Sequence, residues 1–551
     1  MQNMAALAFT FLLSSSAMAT PTDQQAVDAL FAAYEKTGSP GCSLGVIRDT
    51  AFVYSKGYGL ASLELGVPLA PDSVFYMASV SKQFTAASIV LAAEQGFLAL
   101  DDDIHKYVPE LPDYGEPITL REMLHHTSGF RDFLGLVQLS GRNILDVHPT
   151  AEMLNLIVRQ KALNFSPGTE YLYSNTNYFL LAEVIKRATK KPLSVFAEEN
   201  IFRPLGMSHT RFFDDKSVVV AGRVPAYEPG SAGSFKVNWS TNFDAVGDGG
   251  LMSSVDDLLL WDKNFYDNRL GKGTLLKEMQ TRGTLKNGKQ IDYALGLEIS
   301  HYHGLPIVEH GGALFGYRTE ILRFPEQRFS VICLCNLSSA NPGALSRGVA
   351  DIYLKTALAR APAHPTEKTA QKSPGSEAHA FEGKYENPQD HSALQFSVAG
   401  NTLQVYGMSL KPLGPNRFVT PLGPTVSFET MKGKTKVKLE NDDKIMFEGT
   451  RVEELHLGEP ALRAYAGEYK STELDATYKL VIENGALTLH SGWNPPVKLE
   501  PLVPDEFTIG QMGTAVFHRD GAKHVSGLSV YSGRIRDVAF AKTSPESKEA
   551  E

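Results

Sequence analysis

The last third of this 551-residue sequence repeats itself, and this repeat limits the fold more than any other feature. Phe381-Glu-Gly-Lys-Tyr385 returns 84 residues later as Tyr465-Ala-Gly-Glu-Tyr469. Both copies continue as short strand-like runs separated by turns. The repeat therefore predicts two β-barrel or β-sandwich modules of about 80 residues, at 380–456 and 457–545.

A segment with linker composition separates these modules from the rest of the chain. Residues 361–379 are rich in Pro, Lys and Ser and have no hydrophobic periodicity. Ahead of them, residues 20–360 have strand-like runs at both ends and helical patterns in between. This order predicts one α/β (α+β) domain whose sheet joins its first and last strands.

Residues 1–19 have the pattern of a secretory signal peptide. The apolar run Ala5 to Leu13 precedes Ala17-Met-Ala19, a small-residue cleavage pattern. The segment has no Lys or Arg, so a buried N-terminal helix is the alternative interpretation. No later stretch has the roughly 18 apolar residues of a spanning helix. We therefore expect an exported protein, periplasmic or secreted, without stable membrane insertion.

Charge and cysteine spacing argue against several kinds of partner and site. The net charge is −9 and there is no basic run, which disfavours nucleic acid as a partner. Cys333 and Cys335 are too close to bridge each other and Cys42 is distant, so neither a disulfide framework nor a zinc site is expected. Gly271-Lys-Gly-Thr274 lacks the spacing of a phosphate loop. The sequence predicts no metal and no cofactor.

Ser79 and Lys82 lie three residues apart at the start of a predicted buried helix. The run after them is rich in Ala and apolar residues and stops at Gly96. At this spacing both side chains share one helix face, so the amine can reach the hydroxyl. An amine that is partly desolvated in a cleft can serve as the base for a serine nucleophile. Taken alone, the pair is a weak signal that also occurs on solvated helix faces.

Tyr173-Ser-Asn175 follows a Pro-Gly turn and opens another predicted helix. A phenol near an ammonium group can have its pKa lowered and can then exchange a proton with the serine and the leaving group. The amide of Asn175 can bind a substrate carbonyl without adding charge. The alternative for Tyr173 is a core tyrosine.

His310-Gly311-Gly312 ends a run that is typical of an edge strand. The two glycines allow a substrate backbone to lie against the strand, although a tight turn explains them equally well. With Ser79, Ala313 is predicted to supply the backbone N–H groups of an oxyanion hole.

The three segments, in this order, resemble the motifs of the penicillin-recognising serine hydrolases. They are most similar to the branch of class C β-lactamases, D,D-peptidases, D-aminopeptidases and related esterases, over about residues 24–360. The resemblance implies a domain with an antiparallel sheet flanked by helices. It also implies that Ser79 is the nucleophile, that Lys82 and Tyr173 carry its proton, and that Asn175 and His310 position the substrate. The two following β modules resemble the three-domain D-aminopeptidase group, in which a loop of the last barrel reaches the cleft. The corresponding loop here is predicted at Ser491-Gly-Trp-Asn-Pro-Pro496.

One departure from this pattern bears on the substrate. Class C β-lactamases have Lys-Thr-Gly where this chain has His310-Gly-Gly312. A histidine is cationic only part of the time near pH 7, so recognition of a penicillin carboxylate is weakened.

These expectations describe an exported serine hydrolase that acts through an acyl-enzyme. Its substrates are small peptides or amides that contain D-amino acids, the latter by resemblance only. An esterase or a weak β-lactamase is the alternative within the superfamily. The alternative from another class is a non-catalytic protein that binds cell-wall fragments or a partner protein. A homodimer is left open.

Overall fold

The computed structural model describes residues 21–238, 244–360, 378–421, 423–441 and 444–543. The predicted signal peptide lies outside these ranges, as does most of the predicted linker. Within them, no helix is both long enough and apolar enough to cross a membrane.

The first domain contains thirteen strands among its described residues, and six of them form its central sheet. They are β1 (Cys42–Arg48), β2 (Ala51–Tyr58), β3 (Leu60–Ser62), β4 (Val67–Pro68), β5 (Phe75–Tyr76), β6 (Arg211–Phe212), β7 (Tyr227–Pro229), β8 (Phe235–Val237), β9 (Leu251–Ser253), β10 (Glu298–Tyr302), β11 (Leu305–Leu314), β12 (Tyr317–Phe324) and β13 (Phe329–Cys335). The central sheet is antiparallel, with the order β10-β11-β12-β13-β1-β2. The predicted sheet that joins the two ends of the domain is confirmed.

Helices pack on both faces of this sheet. They are α1 (Pro21–Phe31), α2 (Lys82–Glu94), α3 (Leu120–Leu124), α4 (Phe133–Leu139), α5 (Thr150–Val158), α6 (Asn175–Thr189), α7 (Leu193–Ala197), α8 (Arg203–Leu205), α9 (Val255–Asp267), α10 (Leu275–Met279), α11 (Pro342–Tyr353) and α12 (Lys355–Leu358). Alternate residues of β13 serve the two faces: Val331 packs with α1 and α11, whereas Ile332 joins the core that contains α2 and α9. A strand covered on both sides explains the continuous apolar run at this position.

Helix α2 is surrounded by protein along almost its whole length. Every residue from Lys82 to Ala92 is buried, as expected of a helix that is apolar on all sides. Phe84 packs against Trp261 of α9 with ring centroids 4.6 Å apart. The predicted buried helix is confirmed, and its first residue is a lysine.

Each half of the repeated segment forms a nine-stranded antiparallel sheet that nearly closes on itself. The first contains β14 (Gly383–Glu386), β15 (Ala393–Ala399), β16 (Thr402–Val405), β17 (Met408–Ser409), β18 (Lys411–Gly414), β19 (Arg417–Val419), β20 (Thr425–Met431), β21 (Lys434–Asn441) and β22 (Lys444–Arg451). After helix α13 (Glu459–Leu462), the second contains β23 (Gly467–Ser471), β24 (Ala476–Glu483), β25 (Ala486–Ser491), β26 (Val497–Lys498), β27 (Glu500–Val503), β28 (Glu506–Thr508), β29 (Thr514–Arg519), β30 (Val525–Ser532) and β31 (Ile535–Lys542). The strand order is the same in both modules.

The repeated tyrosines have the same structural role in both modules. Tyr385 and Tyr469 are fully buried. Each donates its hydroxyl hydrogen bond to the carbonyl oxygen four residues earlier, Tyr385 to Phe381 at 3.0 Å and Tyr469 to Tyr465 at 2.7 Å. A buried phenol needs such a partner, and this contact explains why the motif recurs.

The second module is continuous with the first domain through a shared core and a buried ion pair. Arg131 Nη1 lies 2.8 Å from Glu473 Oε1, and the two side chains are 1% and 5% exposed. The same guanidinium donates to the carbonyl oxygens of Arg536 and Asp537. Buried charges are stable only when paired and hydrogen-bonded in this way, so the hairpin β30–β31 has a defined position on the first domain.

The expectation that the cysteines form no bridge is wrong. Cys42 and Cys335 face each other in the register of β1 and β13 and form a disulfide. The two residues are 293 positions apart in sequence, which is why spacing alone does not reveal the pair. Cys333 remains a free, buried thiol.

We expect Cys42→Ser to lower the free energy of unfolding by about 2–5 kcal/mol, because the bridge restricts a very long loop of the unfolded chain. Guanidinium unfolding with and without dithiothreitol measures this loss. The reductant should weaken the wild-type protein and a Cys333→Ser control, but not Cys42→Ser. A wild-type midpoint that ignores the reductant contradicts the bridge.

Candidate active site

Ser79 lies in a tight 3₁₀ turn, Ala78–Ser81, which leads directly into α2. Ala78 has φ +47°, a left-handed conformation that costs a non-glycine residue about 1–3 kcal/mol and is typical of functional sites. Lys82 Nζ lies 3.3 Å from Ser79 Oγ, within one turn of helix. The local spacing thus brings amine and hydroxyl together, as predicted from the sequence.

The amine of Lys82 is completely buried and has two further acceptors. It donates to Asn175 Oδ1 at 2.8 Å and to the carbonyl oxygen of Asp248 at 2.7 Å. Burial lowers the pKa of Lys82 to about 7. A substantial fraction of neutral amine near pH 7 is what a general base requires.

Asn175 is held by Asp132, a residue that the sequence interpretation missed. Asp132 Oδ2 accepts hydrogen bonds from the backbone N of Asn175 at 2.7 Å and from its Nδ2 at 2.8 Å. The other oxygen caps α4 by accepting from Leu134 and Gly135. Because the amide nitrogen is engaged, Asn175 turns its oxygen towards Lys82. The N-cap pattern before α4 was the one available signal for Asp132.

Tyr173 lies above the amine, but its pKa moves opposite to the prediction. Lys82 Nζ is 4.8 Å from the centre of the phenol ring, yet burial raises the pKa of Tyr173 well above its usual value, although Ser79 opposes this shift. The hydroxyl is buried and has no hydrogen-bond partner among the described residues. The expected pKa lowering is therefore wrong, because desolvation exceeds the opposing effects of Ser79 and Arg534. The phenol of Tyr173 therefore stays protonated near neutral pH.

His310 is also within the site, but as a buried group rather than an exposed cation. It is 3% exposed, with Nδ1 2.7 Å from the carbonyl oxygen of Gly311 and Nε2 3.0 Å from Tyr293 Oη. Nδ1 is the donor in the first contact because a carbonyl can only accept. Through these two contacts His310 positions the backbone of β11 at Gly311 and the ring of Tyr293, which lies behind Tyr173.

Gly312 brings β11 close to the nucleophile turn. A Cβ at this position would lie 2.4 Å from the carbonyl oxygen of Met77 and 2.2 Å from Thr319 Oγ1, so any side chain would push the strand away. Ser79 and Ala313 both line the resulting cleft.

The cleft has a volume of about 790 Å³ and is lined by residues of all three parts of the chain. Ile445 and Met446 come from the first β module and Arg534 from the second. The loop Ser491–Pro496, which was predicted to reach the cleft, does not line it. Trp493 donates its backbone N–H to Gly141 and is 85% exposed.

The hairpin between β30 and β31 occupies that place instead. Its turn residue Arg534 puts its guanidinium carbon 4.5 Å from the ring centre of Tyr173 and Nη1 3.8 Å from Asp132 Oδ2. Arg534 lowers the pKa of Lys82, an effect smaller than that of burial. No local sequence pattern marked this residue, since its role depends on how the module docks.

One group of side chains outside the cleft has the composition of a metal site. Glu386 and His391 of the first module meet Glu506 of the second, with ligand atoms within 4.8 Å of one another. His391 Nδ1 already pairs with Glu506 Oε2 at 3.0 Å. None of the three lines the cleft.

A family model described as Beta-lactamase matches residues 27–353 of this chain. A D-aminopeptidase of Brucella melitensis biotype 2 (strain ATCC 23457) is 27% identical over 535 residues, which cover 91% of this chain and 96% of that protein. The match therefore spans both β modules as well as the first domain.

Two solved structures have a similar fold. The octameric penicillin-binding protein homologue from Pyrococcus abyssi has a TM-score of 0.55 at 22% identity and covers 85% of this chain and 97% of that one. A D-amino acid amidase from Ochrobactrum anthropi SV3, complexed with L-phenylalanine amide, has a TM-score of 0.51 at 21% identity, covering 61% and 99%.

The rate at which a fluorophosphonate probe labels Ser79 should rise with pH and level off above a midpoint of about 7, because only neutral Lys82 accepts the serine proton. Arg534→Ala removes a cation that disfavours protonation of Lys82, so its midpoint should move to higher pH. Labelling rates between pH 5 and 9 measure both.

Arg536→Ala is the matched control for this shift. Arg536 lies on the same hairpin, but its side chain pairs with Glu170 at 3.0 Å. The midpoint of the control should stay at the wild-type value. An unmoved midpoint in Arg534→Ala would refute the electrostatic link between Arg534 and Lys82.

Proposed function

We propose, because this chain belongs to the Beta-lactamase family and is a serine hydrolase, that it cleaves small peptides or amides of D-amino acids through an acyl-enzyme. The observation that carries the proposal is the fully buried Lys82 amine, 3.3 Å from the Oγ of Ser79, which lines the cleft. A surface Ser-Lys pair would have neither the lowered pKa nor the cleft.

Acylation begins with neutral Lys82. Its amine takes the proton of Ser79 while Oγ attacks the substrate carbonyl carbon, and the carbonyl oxygen gains negative charge. The backbone N–H groups of Ser79 and Ala313 stabilise that oxyanion; a donor of this kind lowers the barrier by about 3–4 kcal/mol in other enzymes. Asn175 accepts a hydrogen bond from Lys82 and positions the substrate amide beside it.

Tyr173 then protonates the leaving group. Its phenol is neutral and gives its proton to the departing nitrogen while the ammonium of Lys82 returns one to the phenol oxygen. The C–N bond breaks, and Ser79 keeps the acyl group as an ester. Deacylation repeats these steps with water as nucleophile, so the lysine ends neutral and the serine regains its proton.

The preference for D-amino acids rests on the relative from Brucella melitensis, which is named a D-aminopeptidase and matches over 91% of this chain. The absence of lysine at position 310 supports peptides or amides over penicillins, since His310 is buried and engaged with Tyr293. Esterase activity is the second candidate, because an ester uses the same acylation with an easier leaving group.

The wild-type protein should hydrolyse D-alanine p-nitroanilide with a kcat/KM at least tenfold above that for the L-enantiomer, D-Ala-D-Ala peptides and nitrocefin. Ser79→Ala should reduce the rate by at least about 10³-fold, because residual catalysis without a nucleophile is small. The absorbance of released p-nitroaniline and of hydrolysed nitrocefin measures the substrate preference and the effect of Ser79→Ala. p-Nitrophenyl butyrate serves as the ester substrate.

A non-catalytic binding protein would give another result. Neither a fluorophosphonate nor fluorescent penicillin would label the wild type above Ser79→Ala, and no substrate of the panel would be hydrolysed. Faster turnover of p-nitrophenyl butyrate than of every amide would favour the esterase.

Export is part of the proposal. It is supported by the apolar run at Ala5–Leu13 before Ala17-Met-Ala19 and by the Cys42–Cys335 disulfide, a bond typical of oxidising compartments. N-terminal sequencing of the protein recovered outside the bacterial cytoplasm should start at Thr20. The homodimer stays a prediction, which light scattering of the purified protein tests.

A further inference from the structure

A buried carboxyl group with an unpaired oxygen lies in the wall of the cleft. Glu320, in β12, lines the cleft and is 7% exposed. Its Oε1 has no hydrogen-bond partner in the part of the chain that the structure describes. An unpaired buried polar atom is unfavourable, and the steps proposed for Ser79 do not use this oxygen.

Glu320 lies on the sheet face opposite to the nucleophile. Successive residues of a strand point to opposite faces. At Gly312 a side chain would run into the turn that carries Ser79, whereas at Gly311 a Cβ would lie 3.0 Å from Glu320 Oε2. A Cβ at Gly343, at the start of α11, would also lie 3.4 Å from that oxygen. Neither position therefore places a side chain against Glu320 Oε2.

The strand edge beside this carboxyl group is open. Strand β10 pairs with β11 only from Leu305 to Glu309. Beyond that point, in the described residues, positions 310–314 pair with β12 alone. A substrate that lies along this edge as an added strand has substituents on both faces. One substituent points to Ser79 and the next points to Glu320.

The charges around Glu320 are mostly negative. Burial raises its pKa well above the usual value, and Glu309 and Glu298 raise it further, while Arg347 lowers it. Arg347 Nη2 is already 2.7 Å from both carboxylate oxygens of Glu309. Burial and the two neighbouring carboxylates thus favour the neutral form of Glu320, and a cation brought by the substrate would favour its carboxylate form.

We propose that Glu320 is a specificity-determining residue that accepts hydrogen bonds from a positively charged group of the substrate, an ammonium on a substituent directed away from Ser79. This inference rests on the proposed function of the same cleft. The ammonium favours the carboxylate form of Glu320 and donates to its unpaired oxygen, and charge-assisted hydrogen bonds of this kind are the stronger ones. The enzyme then prefers amides or peptides with an amine in the acyl part or in the leaving group.

Two matched substrate pairs test the proposal and locate the charge. In the first pair, D-lysine p-nitroanilide has a side-chain ammonium in the acyl part that D-norleucine p-nitroanilide lacks. In the second pair, D-alanine 3-aminopropylamide has an ammonium in the leaving group that D-alanine butylamide lacks. The wild type should favour the cationic member of at least one pair by about 10- to 100-fold in kcat/KM. Glu320→Gln should bring that ratio to within about threefold, whereas Glu183→Gln, a similarly buried glutamate that does not line the cleft, should keep it.

Three results overturn the proposal. The wild type shows no preference in either pair, or Glu320→Gln keeps the ratio, or the ratio is lost with Glu183→Gln as well. If Glu320 has a purely structural role, Glu320→Gln lowers kcat/KM for both members of a pair by the same factor. The ratio then stays unchanged, which is the second of these results.

Binding to Ser79→Ala separates this inference from the proposed function. Calorimetry with D-lysinamide and D-norleucinamide, and with the two D-alanine amides, needs no turnover. If the wild type hydrolyses nothing but Ser79→Ala binds the cationic ligand more tightly, and Ser79→Ala/Glu320→Gln loses this difference, the proposed function fails and the ammonium site stands. Equal affinities for cationic and neutral ligands in both pairs overturn the site.

Discussion

The site depends on a lysine amine that has been taken completely out of water. Lys82 begins a helix that is buried on all sides, and its three acceptors are the hydroxyl of Ser79, the amide of Asn175 and the carbonyl of Asp248. Desolvation disfavours the charged amine, whereas three acceptors favour it. The result is a pKa of about 7, so that the neutral amine can act as a base. Asp132 takes part in this balance indirectly, because it orients the amide of Asn175.

Much of this arrangement was readable from the sequence because it is local. The contact between Ser79 and Lys82 follows from helix geometry, and the glycine of the third motif follows from the closeness of β11 to the nucleophile turn. The repeat at Tyr385 and Tyr469 predicted the two β modules, since each tyrosine bonds within its own module.

What could not be read from the sequence depends on tertiary packing. The direction of the pKa shift of Tyr173 reflects how much water the surrounding aromatic rings exclude. Arg534 reaches the cleft because Arg131 and Glu473 fix the second module on the first domain, and Ser491–Pro496 misses the cleft for the same reason. The Cys42–Cys335 bridge depends on the register of two strands from opposite ends of the domain.

That register also governs the order in which the domain can form. Strand β1 leaves the ribosome nearly three hundred residues before its partner β13. At about 5–20 residues per second, this delay lasts tens of seconds. During that time the apolar strand has only one neighbour, β2, and remains open to wrong pairing. In a chain with this topology, the central sheet closes only when the last strand arrives.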